Sequence, residues 1–336
     1  MVAMGRDRVW SPPQGGLPPA GATTGPVVEI ACDESGFSGT NLRDPATPVI
    51  THASVDLRVD EAVGLIAALR SGFGYAPSEV KSGRFLRGPR AGEALARLLD
   101  ALRGRAHVHL VDKEFFLVTR IVDLLLGEPS WTAGTRLALE HRPAALALYR
   151  AGRGAGGDWD AFLAAFIELV RTKHRRRPDD PALARFFRAR DALAGHALDA
   201  RAGDVLAGLG RARVGAVLTR LSDGDPAIPP PLEPMLPALA ETVLFWSGGH
   251  RRVLVIHDEQ SALTAGRLRR LQHALAAGAG PAGVSPLAGL VTVDSRDDPR
   301  VQVADLLAGM ARRLPRAAEG PLRPFLSPTS LGDPGS

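Results

Sequence analysis

The sequence predicts an α/β fold interrupted by a large all-helical insertion. Three observations lead there. Five short apolar runs with strand composition lie at 27–34, 47–57, 105–113, 251–260 and 287–295. Helical periodicity fills the intervals between them. From about residue 114 to 246 that periodicity runs on with no strand-like segment at all. A chain of 336 residues with 45% hydrophobic content is long enough for one large domain or two ordinary ones with a full core.

The elements follow in order. Residues 1–26 are rich in Pro and Gly, show no periodicity and read as a disordered tail. "VVEIACDE" (27–34) is the first strand. "TPVITHASVDL" (47–57) alternates Val49, Thr51, Ala53, Val55 and Leu57 against Ile50, His52, Ser54 and Asp56, as a half-buried antiparallel strand does. Asn41, Asp44 and Pro45 suit the hairpin connection between them. "DEAVGLIAALRSG" (60–72) reads as a helix with Asp60 as a cap and Gly72 at the stop, and 90–104 carries the same signals. The third strand, 105–113, follows.

Helices are expected near 114–126, 135–150, 158–173, 181–198, 200–221 and 234–247, separated by linkers such as "AGRGAGGD" and "SDGDPAIPPPLEP". No repeat of 20–50 residues is evident. The strand 251–260, a helix over 261–278 and the strand 287–295 restore the α/β pattern. A final helix, 298–314, starts with Asp298 as a plausible cap and Pro299 at its first position. The remaining 315–336 read as a flexible tail. The expected organisation is therefore an α/β domain from 27–114 and 251–314, with 115–250 as the insertion.

Composition narrows the function classes. The net charge of +5 permits contact with nucleic acid or another polyanion without requiring it. The single cysteine, Cys32, rules out an intramolecular disulfide and a cysteine-based zinc site, which fits a reducing, cytoplasmic setting. No run approaches the ~20 apolar residues of a membrane span, and the N-terminus lacks the apolar core of a secretory signal. No phosphate loop of nucleotide hydrolases occurs, and the histidines His52, His107, His109 and His257 form no spaced metal motif.

The carboxylates fall on a pattern. Asp33 stands where the first strand ends, in "ACDESGFSG", and Asp258 where a later strand ends, after "VLVIH". Either could serve a bland role, Asp33 in an Asx-turn and Asp258 as a helix cap. Asp305 lies inside the last helix among Ala304, Leu306 and Leu307, a costly place for a carboxylate without a partner or a cation. Gln302, three residues earlier, shares its face, as do Val301, Ala304 and Ala308, so that face is expected to turn inward. Glu34 should point away from Asp33 if the strand continues.

"DESG" (33–36), "EVKSG" (79–83), the strand ending in "HDE" (257–259) and "VDSRDDPRVQVADLLAG" (293–309) together resemble the domain of unknown function 3800 family. "Q-x-A-D-L-L-A-G" is the most specific of these. The resemblance covers about 27–114 and 251–313. It implies a ribonuclease-H-like fold, a mixed sheet flanked by helices, with metal-binding carboxylates at Asp33, Asp258 and Asp305. It also suggests Glu79 near the metal and Lys81 on a substrate phosphate. Glu34 is a further candidate around the metal, Asp294 a candidate beyond it, and Gln302 either orients Asp305 or touches substrate.

Three carboxylates drawn to one point repel by about 4 kcal/mol per pair at ~4 Å and an effective dielectric of ~20. A cation relieves this, and oxygen ligands favour Mg²⁺ or Mn²⁺. The expectation is a metal-dependent nuclease acting on DNA or RNA. The alternative is a non-catalytic module that binds nucleic acid or protein, with the helical insertion as a partner-binding surface. The basic run "RTKHRRR" (171–177) is either a solvated helix end or a phosphate contact.

Overall fold

A computed structural model of the protein describes residues 16–19, 25–37, 39, 41–74, 81–171, 181–278, 283–314 and 320–333. The expected strands form β1 (Val27–Ser35), β2 (Val49–Val55), β3 (Ala106–Asp112), β4 (Arg252–Asp258) and β5 (Leu287–Val293). Between β2 and β3 lie α1 (Val59–Phe73), the single turn α2 (Ser82–Phe85) and α3 (Ala91–Ala101). Between β3 and β4 lie α4 (Lys113–Leu125), α5 (Arg142–Arg153), α6 (Gly157–Val170), α7 (Pro181–Ala194), α8 (Ala200–Gly208), α9 (Arg211–Ser222) and α10 (Met235–Ser247). Then α11 (Ala265–Gly278) joins β4 to β5, and α12 (Pro299–Arg313) follows β5.

The strands make one mixed sheet in the order β3-β2-β1-β4-β5. β2 runs antiparallel to both of its neighbours, while β1, β4 and β5 run parallel. Alternation within the strands decides which layer each side chain joins. Ala31, Ala53, Val55, Val108 and Ile256 face a cluster built from α1, α2, α3 and α12. Ile30, Cys32, Ile50, Val111, Val253 and Val255 face the opposite cluster, built from α4 to α11.

The helices of 115–250 supply most of that second cluster. Phe116, Phe162, Leu239 and Leu271 join the sheet residues in one continuous core. The stretch 115–250 is thus the second layer over the sheet and not a body apart from it.

Several boundaries also differ; the expected helix 261–278 starts at Ala265 and 181–198 ends at Ala194. The expected helix 135–150 starts only at Arg142, because Pro143 suits the first turn of a helix and not its interior. The expected helix 200–221 is two, broken where Gly208 and Gly210 flank the buried Leu209. The tails are not wholly without structure. Leu17 exchanges backbone hydrogen bonds with Leu290 at 2.9 and 2.8 Å. Leu326 bridges to Val108 and Leu331 to Val111, and Leu331 and Phe325 are buried. Their spaced apolar residues were hidden by the surrounding Pro and Gly. Among the described residues no helix is long and apolar enough to cross a membrane.

Candidate functional site

Parallel pairing of β1 with β4 sets the site. Cys32 stands opposite His257, so the next residues, Asp33 and Asp258, stand in step where the β1–β4 pairing ends. Each follows a residue of the α12-facing cluster, Ala31 and Ile256, by two positions, and so faces the same layer. Such strand ends are where open α/β sheets hold ligands. α12 packs across β1 and β2, and Thr51 Oγ1 on β2 donates to the Ala308 carbonyl at 2.7 Å. The helix thereby carries Asp305 to the same edge.

The turn after Asp33 explains its glycine. Gly36 has φ +90°, and a Cβ there would collide with the Val49 carbonyl and the Arg312 side chain. Arg312 at the end of α12 donates from Nε to Ser35 Oγ at 2.9 Å, and Arg313 donates to Ser82 Oγ. The "ESG" turn and the "KSG" segment are thus tied to one helix.

Electrostatics show that the carboxylates share a field. Asp33 is 5% exposed, and its carboxyl is pushed far above the usual range, first by burial and then by Glu34, Asp305 and Asp258. Asp258 is raised by burial, with Asp294 and Asp305 adding to it, although the Ser295 N–H donates to its Oδ1 at 3.0 Å. Glu34 is raised by burial and by Asp258. Asp305 lies 3.5 Å from Lys81 Nζ and keeps 20% of its side chain exposed, so the face it shares with Gln302 opens at the rim of the site and is not turned wholly inward.

The remaining candidates fall as follows. Glu34 follows Asp33 on β1, yet its carboxyl stays within the field of Asp33 and Asp258 and does not point away from them; its Oε1 accepts from Gln260 Nε2 at 2.6 Å and its Oε2 is buried. Gln302 is half-buried beside Asp305 and makes no side-chain hydrogen bond among the described residues. Asp298 caps α12 through the Arg300 N–H and pairs with the Arg300 guanidinium. Asp294 is held by Arg296, which keeps it ionised. Glu79 and residues 172–177 of the basic run lie outside the described residues. Among the described residues, no group of three or more His, Cys, Asp or Glu is gathered closely enough to hold a metal ion.

Two features were missed in the sequence. Gln260 bridges Glu34 and the Ala262 N–H, and its only signal was its place directly after "HDE". The second is a hydrogen-bonded chain in the buried layer beneath α10. The Asp258 carbonyl can only accept, so His257 Nδ1 donates to it at 2.9 Å, leaving His257 Nε2 as a bare acceptor. His52 Nε2 must then donate to His257 Nε2 at 3.1 Å, and His52 Nδ1 accepts from Thr242 Oγ1 at 2.9 Å. α10 is thereby connected through two histidines to the backbone of Asp258.

Neighbouring His107 and His109 are also buried, and neither ring makes a hydrogen bond among the described residues. Comparison of the chain with protein-family models, with curated proteins and with solved structures finds no match.

Proposed function

We propose that the protein is a divalent-metal-dependent nuclease on a ribonuclease-H-like fold. One observation carries the reading. Asp33, Asp258 and Asp305 come from three distant parts of the chain, and at a single sheet edge Asp305 raises the proton affinity of both Asp33 and Asp258. Such a cluster is costly when ionised and gains most from a cation. The orphaned Glu34 Oε2 is an oxygen donor close by and adds to the fit. The strand order, with only β2 reversed, and the resemblance of "DESG", "HDE" and "QVADLLAG" support the fold assignment.

Asp33, Asp258 and Asp305 would hold Mg²⁺ or Mn²⁺, with Glu34 and Glu79 as further candidates. The ion supplies charge neutralisation and an acidified water for phosphodiester hydrolysis. Lys81, now on Asp305, would move to a substrate phosphate once the carboxylate is engaged. Gln302 at the rim would touch the nucleic acid. The chain Thr242–His52–His257 fixes the backbone that presents Asp258.

The test is incubation of purified protein with labelled single- and double-stranded DNA, RNA and a DNA–RNA hybrid, with Mg²⁺, Mn²⁺ or EDTA, beside Asp305→Ala. Metal-dependent cleavage lost in the variant is the expected result. Tight binding of a nucleic acid without cleavage of any substrate would instead favour a non-catalytic binding module.

A further inference from the structure

The two ends of β4 carry opposite charges. β4 begins at Arg252 and ends at Asp258. Around its beginning, the described stretches 25–28, 242–257 and 283–293 contain no Asp or Glu at all. These stretches converge on a cavity of about 260 Å³ whose walls include Ser247, Gly249, His250, Arg251, Arg252 and Ser285.

Backbone carbonyls hold part of each guanidinium in place. Arg251 donates from Nε to the Trp246 carbonyl at 2.7 Å, and Arg252 donates from Nε to the Ser285 carbonyl at 3.2 Å. Arg252 also reaches the Leu287 carbonyl at 3.5 Å. Among the described residues, both Nη groups of Arg251 and one of Arg252 make no hydrogen bond, and neither side chain pairs with a carboxylate. Both residues are half-buried. Two positioned cations that lack a counter-charge in a concave site are the donor set that a dianionic oxyanion satisfies.

We propose that this cavity binds a phosphomonoester group through Arg251 and Arg252. The cavity admits a phosphate with a small organic substituent and is below the size of a typical cofactor pocket. It lies six residues along β4 from Asp258, roughly 20 Å at the rise of a strand. It is therefore separate from the acidic edge and independent of the nuclease reading. The phosphate belongs either to a small ester or to the 5′ end of a nucleic acid strand.

Calorimetric titration of the full-length protein tests this. The probes are inorganic phosphate, a nucleoside 5′-monophosphate, and short oligonucleotides with a 5′-phosphate or a 5′-hydroxyl, each against sodium chloride of equal ionic strength. Saturable phosphate binding is expected, weakened at least tenfold in Arg251→Gln, weakened less in Arg251→Lys, which keeps the charge, and unchanged in Asp33→Asn. Thermal melting checks that the variants fold. Preference for the 5′-phosphorylated strand over both the 5′-hydroxyl strand and the mononucleotide identifies a strand end; equal or better binding of the mononucleotide identifies a small ester. No saturable heat beyond the chloride control, or affinity unchanged in both Arg251 variants, overturns the proposal.

Discussion

Acidification should destabilise this protein through His109, and the size of the effect follows from its surroundings. His109 is fully buried on β3, and burial together with the charges of Arg142 and Arg136 pushes its pKa down to about 3. His107 is brought to about 3 by burial, His109 and Arg136. Against an unfolded value of about 6.5, the native state binds fewer protons than the unfolded chain between pH 3 and pH 6.5. The stability these groups contribute is complete above pH 6.5 and is lost as pH falls toward 3. From pH 7 to pH 5 the loss is about 2 kcal/mol per histidine, the slope rising to ~1.4 kcal/mol per pH unit once the unfolded histidine is protonated. Two such groups forfeit about 4 kcal/mol, a large share of the ~5–15 kcal/mol of a typical domain.

His109→Leu removes one of these groups. It also removes two ring nitrogens that lack hydrogen-bond partners among the described residues, so stability at pH 7 should change by less than about 1 kcal/mol. Urea titrations at pH 7, 6 and 5 would measure the difference. The variant should lose about 2 kcal/mol less than the wild type between pH 7 and pH 5. Parallel pH dependence in the two proteins would refute the argument, since the acidic edge is common to both and cancels.

Three further outcomes are expected. Thr242→Val keeps the shape of α10 but takes the donor from His52 Nδ1, and should cost about 1–3 kcal/mol in urea unfolding. Gly152→Ala drives a methyl group into the Trp159 ring and should lower stability by about 1–3 kcal/mol, seen as a reduced melting temperature. Asp33→Ala and Asp305→Ala should each lose the Mn²⁺ binding of the wild type by calorimetry; binding unchanged in both would argue against shared ligation by the two carboxylates.

The sheet was legible because each strand carries a local signal. "VVEIAC" and "RVLVIH" are β-branched runs bounded by polar turns, and β2 was found as a strand although it is buried on both faces and not half-buried as its alternation suggested. Asp33 and Asp258 could be singled out for the same reason, since a strand end can be recognised without knowing the fold. Their being neighbours could not, because the β1–β4 register is a tertiary fact. The role of Gln260 and the alignment of His52 with His257 were hidden likewise, as each depends on which strands pair. Helix limits failed where single residues outweighed periodicity: Pro143 delays α5, and the glycines about Leu209 divide α8 from α9. The docked segments at both ends were missed because one leucine in a Pro- and Gly-rich stretch has no period to detect.

The distribution of the acidic residues along the chain has a consequence for biosynthesis. Asp33 emerges from the ribosome with β1, Asp258 only after α4 to α10, and Asp305 with α12. Domains fold as their chain is made, N-terminal parts first. β1 and β2 can pair early, yet the acidic edge is incomplete until α12 docks across them. A polypeptide that ends before α12 therefore carries Asp33 and Asp258 without Asp305. On the proposed reading, hydrolysis waits for α12, and a growing chain leaves the RNA that encodes it untouched until that helix is made.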